Sequence, residues 1–323
     1  MGLRHALVIS GPSDPALPVD DGDWNAAHVI DDYLEFPFVA EPSTPGAGKL
    51  RLYGMDFGPG APAFKMPNGK VRLIQNDLGE FNINRFQPQV GLNAFTGEHS
   101  LNTTNVGTLT AAAVAVTDLH RMTARLDLLV TAAATTAIAG WRPNGAGSRF
   151  LRVGKDANAP GGFLCRCMWA PATGGTVATL RAFVGLADWS AAPTDVAPAG
   201  RTNIIGMGWE RGVDTNIQLY CNDASGTASK IDLGSGFPIP ITDRPPPYEL
   251  QLYSPNSLTR SVSYRVIRYA SDDKVIAAEA SGTLTTDLPA VTTLLGCVGA
   301  ISVGGTSSVV GAALMGILTA LEY

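Results

Sequence analysis

From Arg181 to Tyr323 short apolar runs recur with a two-residue alternation: RAFVGL, TNIIGMGW, NIQLYC, YELQLY, VSYRVIRY and GAALMGIL, each bounded by Gly, Asn, Asp, Pro or Ser. Side chains on successive strand positions point to opposite faces of a sheet, so this rhythm predicts β-strands joined by tight turns. In NIQLYC the pattern sets Ile217, Leu219 and Cys221 on one face and Asn216, Gln218 and Tyr220 on the other, one buried and one wet. The pattern predicts an all-β chain built as an antiparallel β-sandwich.

Upstream, Thr108–Val116 and Arg121–Val130 read as strands, followed by RFLRVGKD, GFLCRCMWA and TVATLRAFVGL, with Gly161-Gly162 and Gly174-Gly175 as turns. The alanines of AAATTAIAGWRP suit a helix, but Thr135, Thr136 and Ile138 are β-branched and Gly140 follows, which favours a strand. The apolar stretch from Leu294 to Leu321 is broken by Gly304, Gly305, Thr306, Ser307, Ser308, Gly311 and Gly316. It therefore predicts two buried strands and a turn, with no membrane insertion.

The N-terminal third is organised differently. Asp20, Asp21 and Asp23 precede Trp24 and a short helix expected from Asn25 to Leu34 with Asp23 as its cap. They lack the ligand spacing of a calcium loop. KLRLYGM and KVRLIQ alternate as strands, and Asn68-Gly69 suits a tight hairpin turn pairing Ala63–Met66 with Lys70–Ile74. A small sheet of two or three strands within residues 49–75 follows. It is too small to stand alone, so it needs the rest of the chain or symmetry-related copies, and a homotrimer is the expected assembly. Gly79 to Thr104 is polar and Asn-rich and reads as a connection. The division is thus an attachment and oligomerisation region over 1–98 and a sandwich over 99–323.

Composition narrows the function. The 36 Gly and 22 Pro of the 323 residues imply many turns. A formal net charge of −5 without a basic tract gives no phosphate-neutralising surface, so nucleic acid is not an expected partner. The apolar core Ala6–Ile9 is too short for a secretory leader. Cys165 and Cys167, two apart, share a strand face and do not suit a mutual disulfide. With Cys221 and Cys297 they are expected as buried free thiols, and no metal or cofactor is expected. The four histidines are His5, His28, His99 and His120, and no G-x-S-x-G elbow occurs, so a Ser-His-Asp hydrolase is not indicated and no enzyme is expected. A catalytic carboxylate pair cannot be read without geometry.

Two likenesses add to this reading. The order of Pro-rich lead, LRLYGMD and AFKMPNGKVRLIQ, over about Pro42 to Gln75, resembles a hairpin module of tailed-bacteriophage tail fibre and tail-associated proteins. The succession FVGLADWSAAPTD, GMGWERGVDTNIQLYCNDASGTASKIDLGSGFP, YELQLYSPN, SVSYRVI, SGTLTTDLPA and ISVGGTSSVVGAALMGILTALEY resembles phage tail proteins with a lectin-like domain, over about Asn102 to Tyr323. That resemblance implies a concanavalin A-like jelly-roll sandwich, a virion location, other virion proteins as partners, and contact with a host-surface glycan. A capsid decoration or head-fibre subunit and a polysaccharide-degrading spike are the alternatives. Sugar recognition combines an aromatic face with Asp and Asn that hold hydroxyls. On that ground Trp189, Trp209, Asp214 and Asn216 are the candidate glycan contacts, and core or inter-subunit packing is the competing role for both tryptophans. The acidic and amide residues Asp214, Asn216, Asn222 and Asp223 also suit ordinary hairpin loops.

Overall fold

The computed structural model describes residues 38–39, 43, 51–55, 61–65, 71–73, 81–86, 103–272 and 275–322. All belong to the compact unit Pro37–Tyr323. The helix expected over Asn25–Leu34 and the acidic residues before it lie outside the described residues, as does the Asn68-Gly69 turn.

The first four strands are β1 (Phe38–Val39), β2 (Arg51–Met55), β3 (Ala61–Lys65) and β4 (Val71–Leu73), which form one sheet in the order β1-β2-β3-β4. The expected hairpin is present, with Ala63 opposite Leu73, Phe64 opposite Arg72 and Lys65 opposite Val71. β2 pairs antiparallel with β3, and β1 adds a parallel strand that the alternation did not show.

The remaining elements are β5 (Phe81–Phe86), β6 (Thr103–Val106), β7 (Thr108–Ala111), α1 (Leu119–Met122), β8 (Leu126–Leu129), β9 (Ile138–Pro143), β10 (Phe163–Thr173), β11 (Arg181–Ala187), β12 (Ile204–Glu210), β13 (Gln218–Asn222), β14 (Ser229–Asp232), β15 (Tyr248–Ser254), β16 (Val262–Tyr269), β17 (Ile276–Leu284), β18 (Gly296–Ser302) and β19 (Gly311–Glu322). They build two antiparallel sheets. One runs β17-β16-β15-β10-β19-β8-β7, with β5 also on β19, and the other runs β14-β13-β12-β11-β18-β9-β6. The chain crosses between sheets at β8→β9→β10→β11, at β14→β15 and at β17→β18→β19, the wrapping of a jelly-roll sandwich. β5 shares an edge of β19 with β8: residues 311–314 of β19 pair with β8 and residues 317–322 with β5. The stretch read as a connection therefore supplies a strand to the sandwich. Its sequence, FNINRF, is half apolar and alternates Phe81 and Ile83 with Asn82 and Asn84, a strand pattern that its Asn-rich surroundings obscure and that pairing with β19 completes.

The core lies between the sheets. Ala139, Trp141, Cys165, Cys167, Trp169, Val184, Leu186, Ile205, Met207, Trp209, Leu219, Cys221, Leu250, Leu252, Val266, Leu314 and Ile317 all turn into it. All four cysteines are buried and free, as expected. Packing is close enough that a Cβ on Gly299 would lie 2.2 Å from Trp141 Cη2, so glycine there makes room for the indole. The turn between β18 and β19 carries Gly304 and Gly305 at φ +64° and +88°. That is the left-handed region a side chain resists, and it confirms two strands and a turn in the apolar C-terminal stretch. No helix among the described residues is long and apolar enough to cross a membrane.

Three local expectations change. The first half of Arg121–Val130 is not strand: Asp118 Oδ1 accepts from the Arg121 amide at 2.8 Å and caps α1, after which Arg125 Nη1 donates to the carbonyls of Ala113, His120 and Arg121. RFLRVGKD does not form a ladder either, because the Phe150 and Leu151 amides converge on the single carbonyl of Leu295. Leu151 and Val153 instead plug the core. Finally, the face of NIQLYC expected to be wet is largely covered: Gln218 and Tyr220 are buried and Asn216 is half-buried.

Candidate functional site

What covers that outer face is the segment between β11 and β12, residues 188–203. Odd-numbered residues of β11 and even-numbered residues of β12 and β13 point outward, and Phe183, Ala187, Ile204, Tyr220 and Val298 form a second apolar cluster there with Ala228. Trp189 and Ala199 of the covering segment pack onto it. The segment is tied down at its middle by Asp195, whose Oδ1 accepts from Ser302 Oγ at 2.6 Å and whose Oδ2 accepts from the Gly305 amide at 2.8 Å.

The four candidate residues separate. Trp209 points inward, is fully buried and stacks on Trp169 of the opposite sheet with ring centroids 5.7 Å apart. It has no face to offer a ligand. Trp189 stands on the other side of the same sheet, tilted against Phe183 at 5.9 Å, with the Arg201 guanidinium 4.6 Å above its ring. Asp214 is on this outer side too. Its Oδ2 accepts from the Tyr220 hydroxyl at 2.9 Å and the Glu210 amide at 2.8 Å, and its Oδ1 pairs with Lys230 at 2.7 Å. Burial, and then Asp214 beside it, push the Tyr220 phenol up, so it stays a donor. Asn216 donates to both carboxylate oxygens of Asp232, at 3.0 and 3.2 Å. Asp214 and Asn216 thus brace the β13–β14 corner, and Trp189 belongs to a separate rim of the same face.

Around Trp189 the structure assembles residues that sequence spacing does not connect. Arg149 Nη1 donates to the Asp188 carbonyl at 2.7 Å, Arg142 Nη1 donates to the Ser190 carbonyl at 3.2 Å, and Asn203 Nδ2 donates to Asp188 Oδ2 at 2.8 Å. Three guanidiniums from β9, the β9–β10 segment and the β11–β12 segment therefore meet the consecutive residues Asp188, Trp189 and Ser190. Among the described residues none of the three forms a salt bridge, and the Nε of each is buried without a hydrogen-bond partner. Burial draws Arg201 down to about 10, so it keeps its charge at neutral pH. Asn203 sits at φ 50°, left-handed backbone that asparagine tolerates better than most residues. No signal in the sequence marks this group, because arginines that bond backbone carbonyls leave no motif.

Among the described residues no group of His, Cys, Asp or Glu is arranged to hold a metal ion. No protein-family model matches the sequence, and no curated protein sequence matches it. Among solved structures the chain is similar to peanut lectin in complex with a nine-residue peptide, at 12% identity over 75% of this chain and 97% of that one, with a TM-score of 0.42. It is also similar to lectin UEA-II in complex with galactose, at 13% identity over 74% and 98%, TM-score 0.43. A carbohydrate esterase from the Shiga toxin-encoding bacteriophage phi24B matches at 11% identity over 74% and 98%, TM-score 0.39. With TM-scores below 0.5, the fold assignment stands on the strand order described above.

Proposed function

We propose that the chain is a carbohydrate-binding surface protein of a tailed bacteriophage, a tail fibre or tail-associated subunit that binds its ligand without turning it over. The observation that supports binding is the rim at Trp189, where an aromatic ring and several side-chain donors converge on one short segment at the surface of the sandwich. Binding without turnover is favoured by the carboxylate at Asp214, whose two oxygens are already occupied by Tyr220, the Glu210 amide and Lys230. The phage assignment rests on the succession of sequence blocks from Asn102 to Tyr323, and a homotrimer on the small N-terminal sheet.

A glycan array probed with the full chain tests the binding reading: reproducible saccharide binding supports it, and an empty array removes it. Release of reducing ends from a bound polysaccharide would replace it with the degrading spike. For the particle, antibody against residues 103–322 viewed by electron microscopy should label the tail tip or fibres. Label over the head would favour a decoration subunit.

A further inference from the structure

We propose that the Trp189 rim is specific for acidic saccharides and takes a carboxylate-bearing sugar between Arg142, Arg149 and Arg201. The inference rests on the carbohydrate-binding reading above and names its ligand class.

Charge is the first ground. Within this group the fixed charges are three guanidiniums against the carboxylate of Asp188, which is already engaged by Asn203, with the charge of Asp195 also reaching Arg201. The other carboxylate of the covering segment, Asp195, is committed to Ser302, the Gly304 and Gly305 amides and Arg181. In a chain whose formal net charge is −5, a cluster of arginines without a salt bridge is a local reversal of sign. Such a reversal attracts an anion.

Donor geometry is the second. Each arginine spends one Nη on a backbone carbonyl: Arg142 Nη1 on Pro143 and Ser190, Arg149 Nη1 on Asp188, and Arg201 Nη2 on Thr194. That leaves Arg142 Nη2, Arg149 Nη2 and Arg201 Nη1, which bond no described acceptor and are not among the buried unpartnered atoms. The guanidiniums are therefore held at one end and open at the other, which lowers the side-chain entropy lost on binding. An ionised carboxylate accepts from such open, charged Nη donors more strongly than a hydroxyl does.

Trp189 supplies the third. With Phe183 against it and Arg201 over its ring, the indole is a base on which Arg201 is oriented, so recognition here is ionic rather than a bare aromatic platform.

The test is calorimetric titration of the full chain with tetragalacturonate, a hyaluronan tetrasaccharide and sialyllactose, alongside cellotetraose and lactose as neutral probes, at low and high salt. At least one acidic saccharide should bind, more weakly in high salt, and Arg142→Gln or Arg149→Gln should weaken it at least tenfold. Because these arginines also brace the covering segment, Arg149→Lys is the second variant: it keeps the charge, cannot hold the Asp188 carbonyl and the ligand from two separate Nη atoms, and should still bind several-fold more weakly. Arg211→Gln, at the opposite end of β12, should bind as the parent does. Binding of neutral saccharides alone, or acidic binding indifferent to all three rim substitutions, overturns the inference and leaves carbohydrate binding standing. Binding of no saccharide removes both.

Discussion

Trp169 on β10 and Trp209 on β12 stack across the sandwich at 5.7 Å with their planes 22° apart, each fully buried and each from a different sheet. Offset stacking of this kind adds to the large apolar area both rings remove from water. The pair is a point at which the two sheets hold each other.

Trp209→Ala should therefore cost about 3–5 kcal/mol. Thermal or denaturant unfolding measures it, and Trp209→Phe should recover part of the loss. A Trp209 variant that stays as stable as the parent would contradict the core placement.

Asp195 fastens the segment that carries Trp189. Burial pushes its carboxyl up, but bonds from Ser302, Gly305 and Gly304 and the charge of Arg181 outweigh that and hold it below the ordinary range. A depressed folded value gives stability that is present above the unfolded value near ~3.9 and lost as pH falls through the folded one. Asp195→Ala should cost roughly 1.5–3 kcal/mol at neutral pH and open residues 188–203 to proteolysis. Unchanged cleavage there would show that the segment is held by other contacts.

His120 gives a pH dependence of the opposite residue type. It is buried within α1 with Nδ1 donating to the Pro245 carbonyl at 3.2 Å, and burial, then Arg125, lower it to about 4. The unfolded imidazole titrates near ~6.5, so between that value and about 4 the unfolded chain binds the extra proton. Stability from the neutral ring is complete above the upper value and lost as pH falls to the lower one, by on the order of 3 kcal/mol. Asp127, raised by burial, works against this in the same acid range. The difference between parent and His120→Gln in unfolding free energy against pH isolates the histidine term, and parallel curves would refute it.

On the outer face of the other sheet, Glu249 is fully buried and pairs with Arg166 at 2.6 Å while accepting from the Tyr269 hydroxyl at 2.6 Å. Burial pushes Glu249 up, and Arg166, Tyr269 and Gln251 together hold it below its ordinary value. Arg166→Ala leaves the carboxylate short of its charged partner and should destabilise by roughly 1.5–3 kcal/mol. Arg166→Ala with Glu249→Gln should lose less than the two single changes summed, which a double-mutant cycle reads.

The strand period located β10, β11, β12, β13, β15, β16 and β19, and the glycines the turns at Gly174-Gly175 and Gly304-Gly305, because strand period and glycine backbone freedom are local properties; at Gly161-Gly162, read as a turn, the Gly162 amide instead donates to the Arg152 carbonyl. The Asn68-Gly69 dipeptide led to a pairing of Ala63–Met66 with Lys70–Ile74, and the structure pairs Ala63–Lys65 with Val71–Leu73 within it. The alternation could not place α1, where a single Asp118 cap overrides an alternating pattern, and it did not pick out β5, whose alternating FNIN start lies within an Asn-rich stretch and finds its partner only in β19. Most of all it could not tell which side of a sheet a tryptophan faces relative to the core. Trp189 and Trp209 read alike in sequence, yet strand register sends Trp209 inward onto Trp169, while the fold of the covering segment leaves Trp189 outside beneath Arg201. The arginine rim exists only in three dimensions, since Arg142, Arg149 and Arg201 meet through the carbonyls and ring of a segment folded back over β11 and β12. Local alternation determined the strands; the long-range closure of two sheets decided the site.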